Sequence, residues 1–449
     1  MATNGRPLLP AAPPLHWASL PGWNSFWWLI EVESCPRRAA LRHADYPGIW
    51  EKPGYPPKPQ MNAIVGQVVH GLVGQIARTL RLRGLGSSQD SRAVSILKEL
   101  GGYSKIIACK IDDVLKEITG NPRVRGTDRL RAELLRRVPQ MRERLQILLA
   151  RVEWPSIADV QPKERYNVKK ALGFGSHFEV PVKSPVLLWK GIADLIELTH
   201  NKILIVDLKT GEPSPLHADQ LLIYALLWAR DNDVNPRGFL ATELTLSYPH
   251  GSVPVPAPGE EQLREIQSSL IKRTELARAA LQASTPTAHV GTETCLHCDV
   301  RHLCADYWTP SGRRVFAAAC DSDFDDIELR VQERVGEYTW ACKCSVATHV
   351  PIGSKILLRM ENESSTFVGV FEAGAALRVV GALVSRNEEE ATTIASLVGS
   401  SEIFVPVRWT QETYCDGSDN WERCLAARGG SLVLKGCDFR GCGKTRFSM

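Results

Sequence analysis

Gly191-Ile-Ala-Asp194-Leu-Ile-Glu-Leu-Thr-His-Asn-Lys-Ile203-Leu-Ile-Val-Asp207-Leu-Lys209-Thr-Gly211 holds two apolar runs separated by the polar interval Thr199 to Lys202. That interval suits a four-residue hairpin loop. With Leu198 paired to Ile203, Asp194 falls opposite Asp207, and their Cβ atoms are expected roughly 5 Å apart on one sheet face. Lys209, two positions on, shares that face because side chains alternate along a strand. Ile192, Leu195, Ile203, Ile205 and Val206 bury both strands, which opposes the simpler reading of a solvated ion pair. Two carboxylates held together repel, and a divalent cation resolves the conflict. Oxygen ligands favour Mg²⁺ or Mn²⁺ over zinc. Lys209 would position or help deprotonate a water and offset charge growing on a phosphoryl oxygen.

Outward from this segment, the chain has 449 residues, 44% of them hydrophobic, enough for two or three domains. Charged residues make up 23%, with 54 basic against 50 acidic, which excludes disordered, collagen-like and histone-like chains. No apolar run reaches a membrane span, and Phe26 to Ile30 is broken by Glu31 and Glu33. The start of the chain lacks a secretory pattern, so a cytoplasmic protein with no membrane partner is expected. Twelve cysteines in a reducing compartment read as metal ligands or core thiols. The histidines form none of the zinc-hydrolase patterns.

Residues 1–60, rich in Pro and Trp, read as an arm. Helical spacing over Asn62 to Leu82 predicts an amphipathic helix, and Ser91 to Arg151 predicts helices broken at Gly101-Gly102, Asn121-Pro122 and Pro139. Nine Arg between Arg123 and Arg151, Arg136 and Arg137 among them, face three acidic residues. Either a solvated helix face or a phosphate-tracking surface accounts for the surplus. Strands follow at His177 to Val182, Val186 to Leu198 and Ile203 to Lys209, then a helix from His217 to Arg230. A strand near Gly238 to Tyr248, a Pro-rich turn at Pro254 to Pro258 and a helix from Glu260 to Gln282 complete an α/β domain. Runs at Asp326 to Glu333, Tyr338 to Lys343, Lys355 to Met360, Thr366 to Phe371 and Leu377 to Val384 predict a small five-stranded barrel, of the oligonucleotide/oligosaccharide-binding (OB) kind first, with other five-stranded barrels fitting nearly as well.

Asp194 followed by Asp207-Leu-Lys209 resembles the PD-(D/E)XK nuclease signature. Asp-Leu-Lys-Thr-Gly, then Gln220-Leu-Leu-Ile-Tyr224, is similar to its RecB-like branch, which includes CRISPR spacer-acquisition nucleases and helicase-associated nuclease domains. The usual Pro before the first Asp is replaced by Ala193. The resemblance spans roughly residues 20–308 and implies a restriction-endonuclease-like core, a mixed central sheet flanked by helices, over residues 61–308 with a helical insertion at about 85–165; the barrel, within 309–449, lies outside it. It implies Asp194, Asp207 and Lys209 as catalytic residues, His70 of Gly66-x-x-x-His70 as a further Mg²⁺ or Mn²⁺ ligand, and Gln220 and Tyr224 as DNA contacts. Glu179 matches a Glu often found on the preceding strand.

Cys295-Leu-His-Cys298-Asp-Val-Arg-His-Leu-Cys304 places three thiols within ten residues. Its spacing does not fit a zinc ribbon, although His297 and His302 keep zinc open. With Cys35 it resembles the iron-sulfur members of the branch, which implies a [4Fe-4S] staple around the whole catalytic domain. Cys342, Cys344, Cys415, Cys424, Cys437 and Cys442 have no recognisable ligand spacing, and Cys109 reads as core. Gly441-Cys-Gly-Lys444-Thr445 lacks the first Gly and the following helix of a phosphate loop.

The expected function is a metal-dependent DNA nuclease, exonucleolytic on single strands or duplex ends, in repair, CRISPR adaptation or antiviral defence. No helicase motor is present, so unwinding would come from a helicase or other complex subunit. Two further readings stand beside it: a non-catalytic DNA-binding scaffold that keeps the nuclease fold, and a zinc-stabilised RNA-processing factor.

Overall fold

The structure, a computed structural model, describes residues 8–124, 126–151, 171–317, 323–360, 371–387, 392–398, 401–410, 433–438 and 441–448. The N-terminal region carries a short strand, β1 (Leu9–Ala11), and helices α1 (Phe26–Ser34) and α2 (Pro36–His43). The Ser25 hydroxyl caps α1 by accepting from Trp28 N, and Pro36 opens α2 where a missing N–H costs nothing.

The long helix α3 (Met61–Leu82) follows, then α4 (Ser91–Glu99), α5 (Gly102–Glu117), α6 (Thr127–Arg136) and α7 (Val138–Ala150). The breaks at Gly101-Gly102 and Asn121-Pro122 fall where the sequence puts them. Pro139 instead lies in the first turn of α7, which its fixed φ suits, so the chain turns at Arg137. Residues 152–165 of the expected insertion lie outside the described residues.

Strands β2 (Gly175–Ser184), β3 (Trp189–Leu198) and β4 (Ile203–Leu208), helix α8 (Pro215–Arg230), strands β5 (Glu243–Tyr248) and β6 (Gly251–Val255), and helix α9 (Glu260–Gln282) build the catalytic domain. The five strands form one sheet in chain order, antiparallel except for β4 and β5. That parallel pair requires a crossover, which α8 supplies. The fifth strand occupies part of the stretch expected as a turn, and its Pro254 is tolerated because β6 is an edge strand. One sheet face packs on α1, α8 and α9 around Trp189, Ile205, Leu226 and Trp228. The other packs on α3, α5 and α7 around Val68, Leu72, Ile111 and Leu148. Helices on both faces of a mixed sheet match the α/β arrangement expected.

Helices α10 (Thr292–Leu296) and α11 (Pro310–Ala317) lead to β7 (Phe324–Gly336), β8 (Thr339–Val346), β9 (Lys355–Arg359), β10 (Ala376–Asn387), β11 (Thr392–Ser396) and β12 (Glu402–Pro406). The order β7-β8-β9-β11-β10 closes back onto β7, a five-stranded barrel with one parallel pair, β9–β11. It fits the OB-like expectation. Residues 366–370 of an expected barrel strand are outside the described residues, and the fifth position in the barrel is filled by β11, which lies beyond the predicted runs. Cys342 and Cys344 are buried in the barrel core. Strands β13 (Arg408–Thr410), β14 (Val433–Asp438) and β15 (Gly441–Ser448) form a separate three-stranded sheet. Cys415 and Cys424 lie outside the described residues.

Barrel and catalytic domain are joined through polar clamps. The buried Arg123 guanidinium donates to both Glu402 carboxylate oxygens at 2.8 and 2.9 Å, and Arg301 pairs with the buried Asp326. Strand β1 pairs in parallel with β12, so the N-terminal arm sends one strand into the barrel's sheet while its helices α1 and α2 pack on the catalytic domain.

Candidate active site

The acidic residues sit where two ladders are interrupted. Phe178 pairs with Leu195 and Val180 with Ala193, which leaves Glu179 facing Asp194 between them. The β3–β4 ladder stops at Leu195 and Val206, one step short of Asp194 and Asp207. Phe178 and Leu195 bury on the α3 side, whereas Val180 and Ala193, two residues along in each strand, bury on the α8 side. Regular alternation would keep each pair on one side, so the strands reverse their faces at the acidic row. Glu179 absorbs part of the reversal with a φ of 52°, a left-handed conformation that costs a non-glycine residue about 1–2 kcal/mol.

The freed backbone is partly reused by side chains. Asp194 Oδ2 accepts from Leu208 N at 2.6 Å, replacing a ladder bond. Asp207 is buried, with Lys209 Nζ 2.6 Å from its Oδ2. The approach lacks hydrogen-bond geometry and leaves this buried oxygen without a hydrogen-bond partner, so the pair is an ion contact. Lys209 Nζ donates to Gln220 Oε1 at 2.8 Å, and Gln220 Nε2 donates to Tyr224 OH at 2.7 Å. The spacing of Gln220 and Tyr224 puts both on one face of α8. A Cβ at Gly191 would lie 2.5 Å from Tyr224 Cε1, so only glycine lets β3 approach the ring this closely.

Burial lifts the carboxyls of Asp194 and Asp207 above the usual carboxylate range; at Asp207 the charge of Asp194 adds to it. His70, from α3, brings Nδ1 to 3.9 Å from Asp194 Oδ2. Burial and then the Lys209 charge lower its pKa, favouring the neutral imidazole that a metal can share. Glu179 is held by Arg78 at 2.7 Å. Among the described residues no three His, Cys, Asp or Glu side chains are drawn into a ready metal-holding group. The donor set, the Asp194 and Asp207 carboxylates and the His70 imidazole, with Asp207 Oδ2 lacking a hydrogen-bond partner, nonetheless fits a hard divalent ion.

Two residues beside the site carry no sequence signal. His217, in the first turn of α8, has Nδ1 2.9 Å from Tyr248 OH on β5. After burial, the Lys209 charge holds the His217 pKa down, which places the ring within that ammonium's field.

Cys35, Cys295, Cys298 and Cys304 are all buried and line one small cavity with Arg37, Arg38, Arg301 and Tyr307. Burial pushes the Cys298 thiol up to about 12 and Cys304 to about 11, so thiolates there would require a compensating cation. His302 is fully buried, stacked on Phe404 with centroids 3.6 Å apart, and faces the barrel. His297 lies at the end of α10.

The Arg surplus divides. Arg123 is structural, Arg131 pairs with Asp112, and Arg137 reaches Glu133 and Asn62, while Arg136 is exposed at the end of α6. On the barrel, exposed Arg330, Lys343 and Lys355 stand directly opposite one another across β7, β8 and β9. None of the three has an ion-pair partner among the described residues. Like charges in such register destabilise a bare sheet and suit a polyanion.

The fold thus presents a mixed sheet crossed by an acidic row, with Lys209 beside it. The model of the PD-(D/E)XK nuclease superfamily matches residues 28–305, and the chain belongs to that superfamily. Its members are generally hydrolases of phosphodiester bonds that use Mg²⁺ or Mn²⁺ and take DNA as substrate. No curated protein matches the chain. A solved structure titled the crystal structure of SSO0001 is 21% identical, over 30% of this chain and 62% of its own, with a TM-score of 0.19. No described helix is long and apolar enough to cross a membrane.

Proposed function

We propose that this protein is an Mg²⁺- or Mn²⁺-dependent deoxyribonuclease of the RecB-like branch, acting exonucleolytically on single strands or duplex ends. The observation that carries the reading is the continuous chain from Asp207 through Lys209 and Gln220 to Tyr224, with Asp194 alongside. Asp194, Asp207 and His70 would hold the ion, which supplies Lewis acidity toward a phosphoryl oxygen and eases the ionisation of water. Lys209 balances the negative charge that develops on the phosphoryl group. Gln220 fixes the ammonium, so its position is set before the strand arrives, and directs the Tyr224 hydroxyl. Exposed Arg136, with Arg137 beside it, and the Arg330, Lys343 and Lys355 row would track the backbone of a strand led toward the acidic row.

A [4Fe-4S] cluster on Cys35, Cys295, Cys298 and Cys304 completes the proposal. Support comes from the four buried cysteines that line one cavity. Such a staple would close a loop around the catalytic domain and constrain the unfolded chain by about 5 kcal/mol, if disulfide-like entropy transfers. A cytoplasmic setting and a helicase or other complex subunit as partner accord with this chemistry. The test is Mg²⁺-dependent degradation of labelled single- and double-stranded DNA by the wild type and Asp207→Ala. Loss of degradation in the variant is expected. Equal activity in both proteins, or none in either, leaves the non-catalytic scaffold. Anaerobic purification should yield a brown protein with about four irons, and Cys298→Ser should yield a colourless one.

A further inference from the structure

The segment that carries Cys295, Cys298 and Cys304 has little hydrogen-bonded structure of its own. Helix α10 is five residues long, and Arg301–Leu303 and Asp306–Trp308 are single 3₁₀ turns. Turns this short do not hold their shape unaided, so side chains from outside must set the spacing of the thiols. One anchor comes from the N-terminal helices. Asp299 accepts from Arg42 Nε at 2.7 Å, and the same guanidinium donates to Glu31, which ties the loop to α1 and α2 on either side of Cys35.

The other anchors come from the barrel. The His302 ring stacks on Phe404 of β12, and the His302 carbonyl accepts from Arg378 of β10 at 2.7 Å. One barrel residue stands directly behind the cavity wall. Arg301 and Tyr307 line the cavity with the four cysteines, and both donate to Asp326 of β7: Arg301 Nε at 2.6 Å, its Nη2 at 3.3 Å and Tyr307 OH at 2.7 Å. The Gly381 N–H of β10 adds a donor at 2.7 Å, so this buried carboxylate is satisfied by loop and barrel together.

Arg301 passes the constraint inward. Its Nη1 donates to the Leu296 carbonyl at 3.3 Å and to the Cys298 carbonyl at 3.2 Å, while its own carbonyl accepts from the Cys304 N–H at 3.1 Å. A planar guanidinium can hold a carboxylate and two carbonyls at once in fixed directions, which a lysine ammonium cannot. The turn from Cys295 to Cys298 and the approach to Cys304 are thus referred to a single carboxylate in another domain.

We propose that Asp326 is a positioning residue for the four-cysteine site: acting through Arg301, it holds the loop in the form that keeps Cys295, Cys298 and Cys304 on one cavity with Cys35, so that the barrel secures the metal group. The proposal rests on the iron-sulfur reading for the identity of that group, and one arm of its test does not. The full-length protein is purified anaerobically and two quantities are read. The first is the rate at which an iron chelator bleaches the visible absorbance. The second, in reduced chain stripped of metal, is alkylation of each cysteine resolved by mass spectrometry. Asp326→Asn keeps the side chain's size and leaves Arg301 without its carboxylate. It should lose iron about tenfold faster, and alkylation of Cys298 and Cys304 should rise by a similar factor. Cys342 and Cys344 in the barrel core should stay protected, which separates a displaced loop from an unfolded barrel, and the exposed Cys109 should react equally in every variant. Arg301→Met with Asp326→Leu leaves no orphaned charge, so its Tm should return toward that of the wild type while fast iron loss persists. Should Asp326→Asn fail to fold, Tyr307→Phe, which removes one donor to the carboxylate, should shift both quantities in the same direction by less. Unchanged iron release and alkylation in these variants overturn the proposal. So does labelling of Cys342 and Cys344 in step with Cys298 and Cys304, or wild-type iron retention in the double variant. A wild type that holds zinc or no metal overturns the iron-sulfur reading alone, because alkylation of the stripped chain still decides the role of Asp326.

Discussion

Lys209 Nζ lies 2.6 Å from Asp207 Oδ2 while Gln220 Oε1 accepts from the same ammonium at 2.8 Å, so its position is fixed from two elements at once, β4 and α8. Lys209→Met should therefore lower kcat by about 10²–10³-fold, the loss typical of a single charge-stabilising donor. Gln220→Leu should cause a smaller fall, because the ammonium remains but is no longer held. Single-turnover degradation separates the two, and an equal loss in both would argue against this division of roles.

The acidic row should be a liability to the fold without its cation. A carboxyl with a raised folded pKa binds its proton more tightly in the folded than in the unfolded chain, so stability is lost as pH rises from the ordinary carboxylate value through the folded one. Asp194→Asn removes that penalty. In EDTA the variant should melt about 2–4 °C above the wild type near neutral pH, with the gap closing at about pH 4. Mg²⁺ should reverse the order by raising only the wild-type Tm, since only an intact donor set gains from the ion.

Glu402 is a largely buried acid, its side chain 12% exposed, whose bidentate partner comes from the helical region. Arg123→Met should cost about 3 kcal/mol in urea unfolding, because among the described residues Glu402 then keeps only the Lys58 ammonium at 3.1 Å. Arg123→Met with Glu402→Leu should recover most of that loss, as apolar replacement of both partners leaves no orphaned charge.

The row of Arg330, Lys343 and Lys355 predicts an ionic signature. Lys343→Ala should weaken single-strand binding and reduce the slope of log K against log salt by about 0.7, with no change in Tm large enough to matter. An unaltered slope would remove this face from the strand's path.

The hairpin register around Leu198 and Ile203 was readable from Thr199 to Lys202 because a polar interval between apolar runs fixes which residues pair. Helices α3 and α9 were readable from apolar periodicity. The reversal of faces at Glu179 and Asp194 was not, since it depends on which helix covers each half of a strand, and no local pattern encodes that. His217 and Tyr248 were missed for a related reason: they meet across two elements separated by a crossover. Strand β11 escaped notice because Thr392 to Ser396 is short and follows a run of Glu, and Arg123 resembled its surface neighbours until Glu402 was found against it.

Leu9 of β1 hydrogen-bonds beside Phe404 of β12. During synthesis the first strand would leave the ribosome roughly 20–80 s before its neighbour exists, at ordinary elongation rates. The nuclease layers can settle in that interval, but the opening segment must wait with its polar edge unpaired. Translation speed and nascent-chain chaperones thus act on strand β1 for longer than on any later part of its sheet.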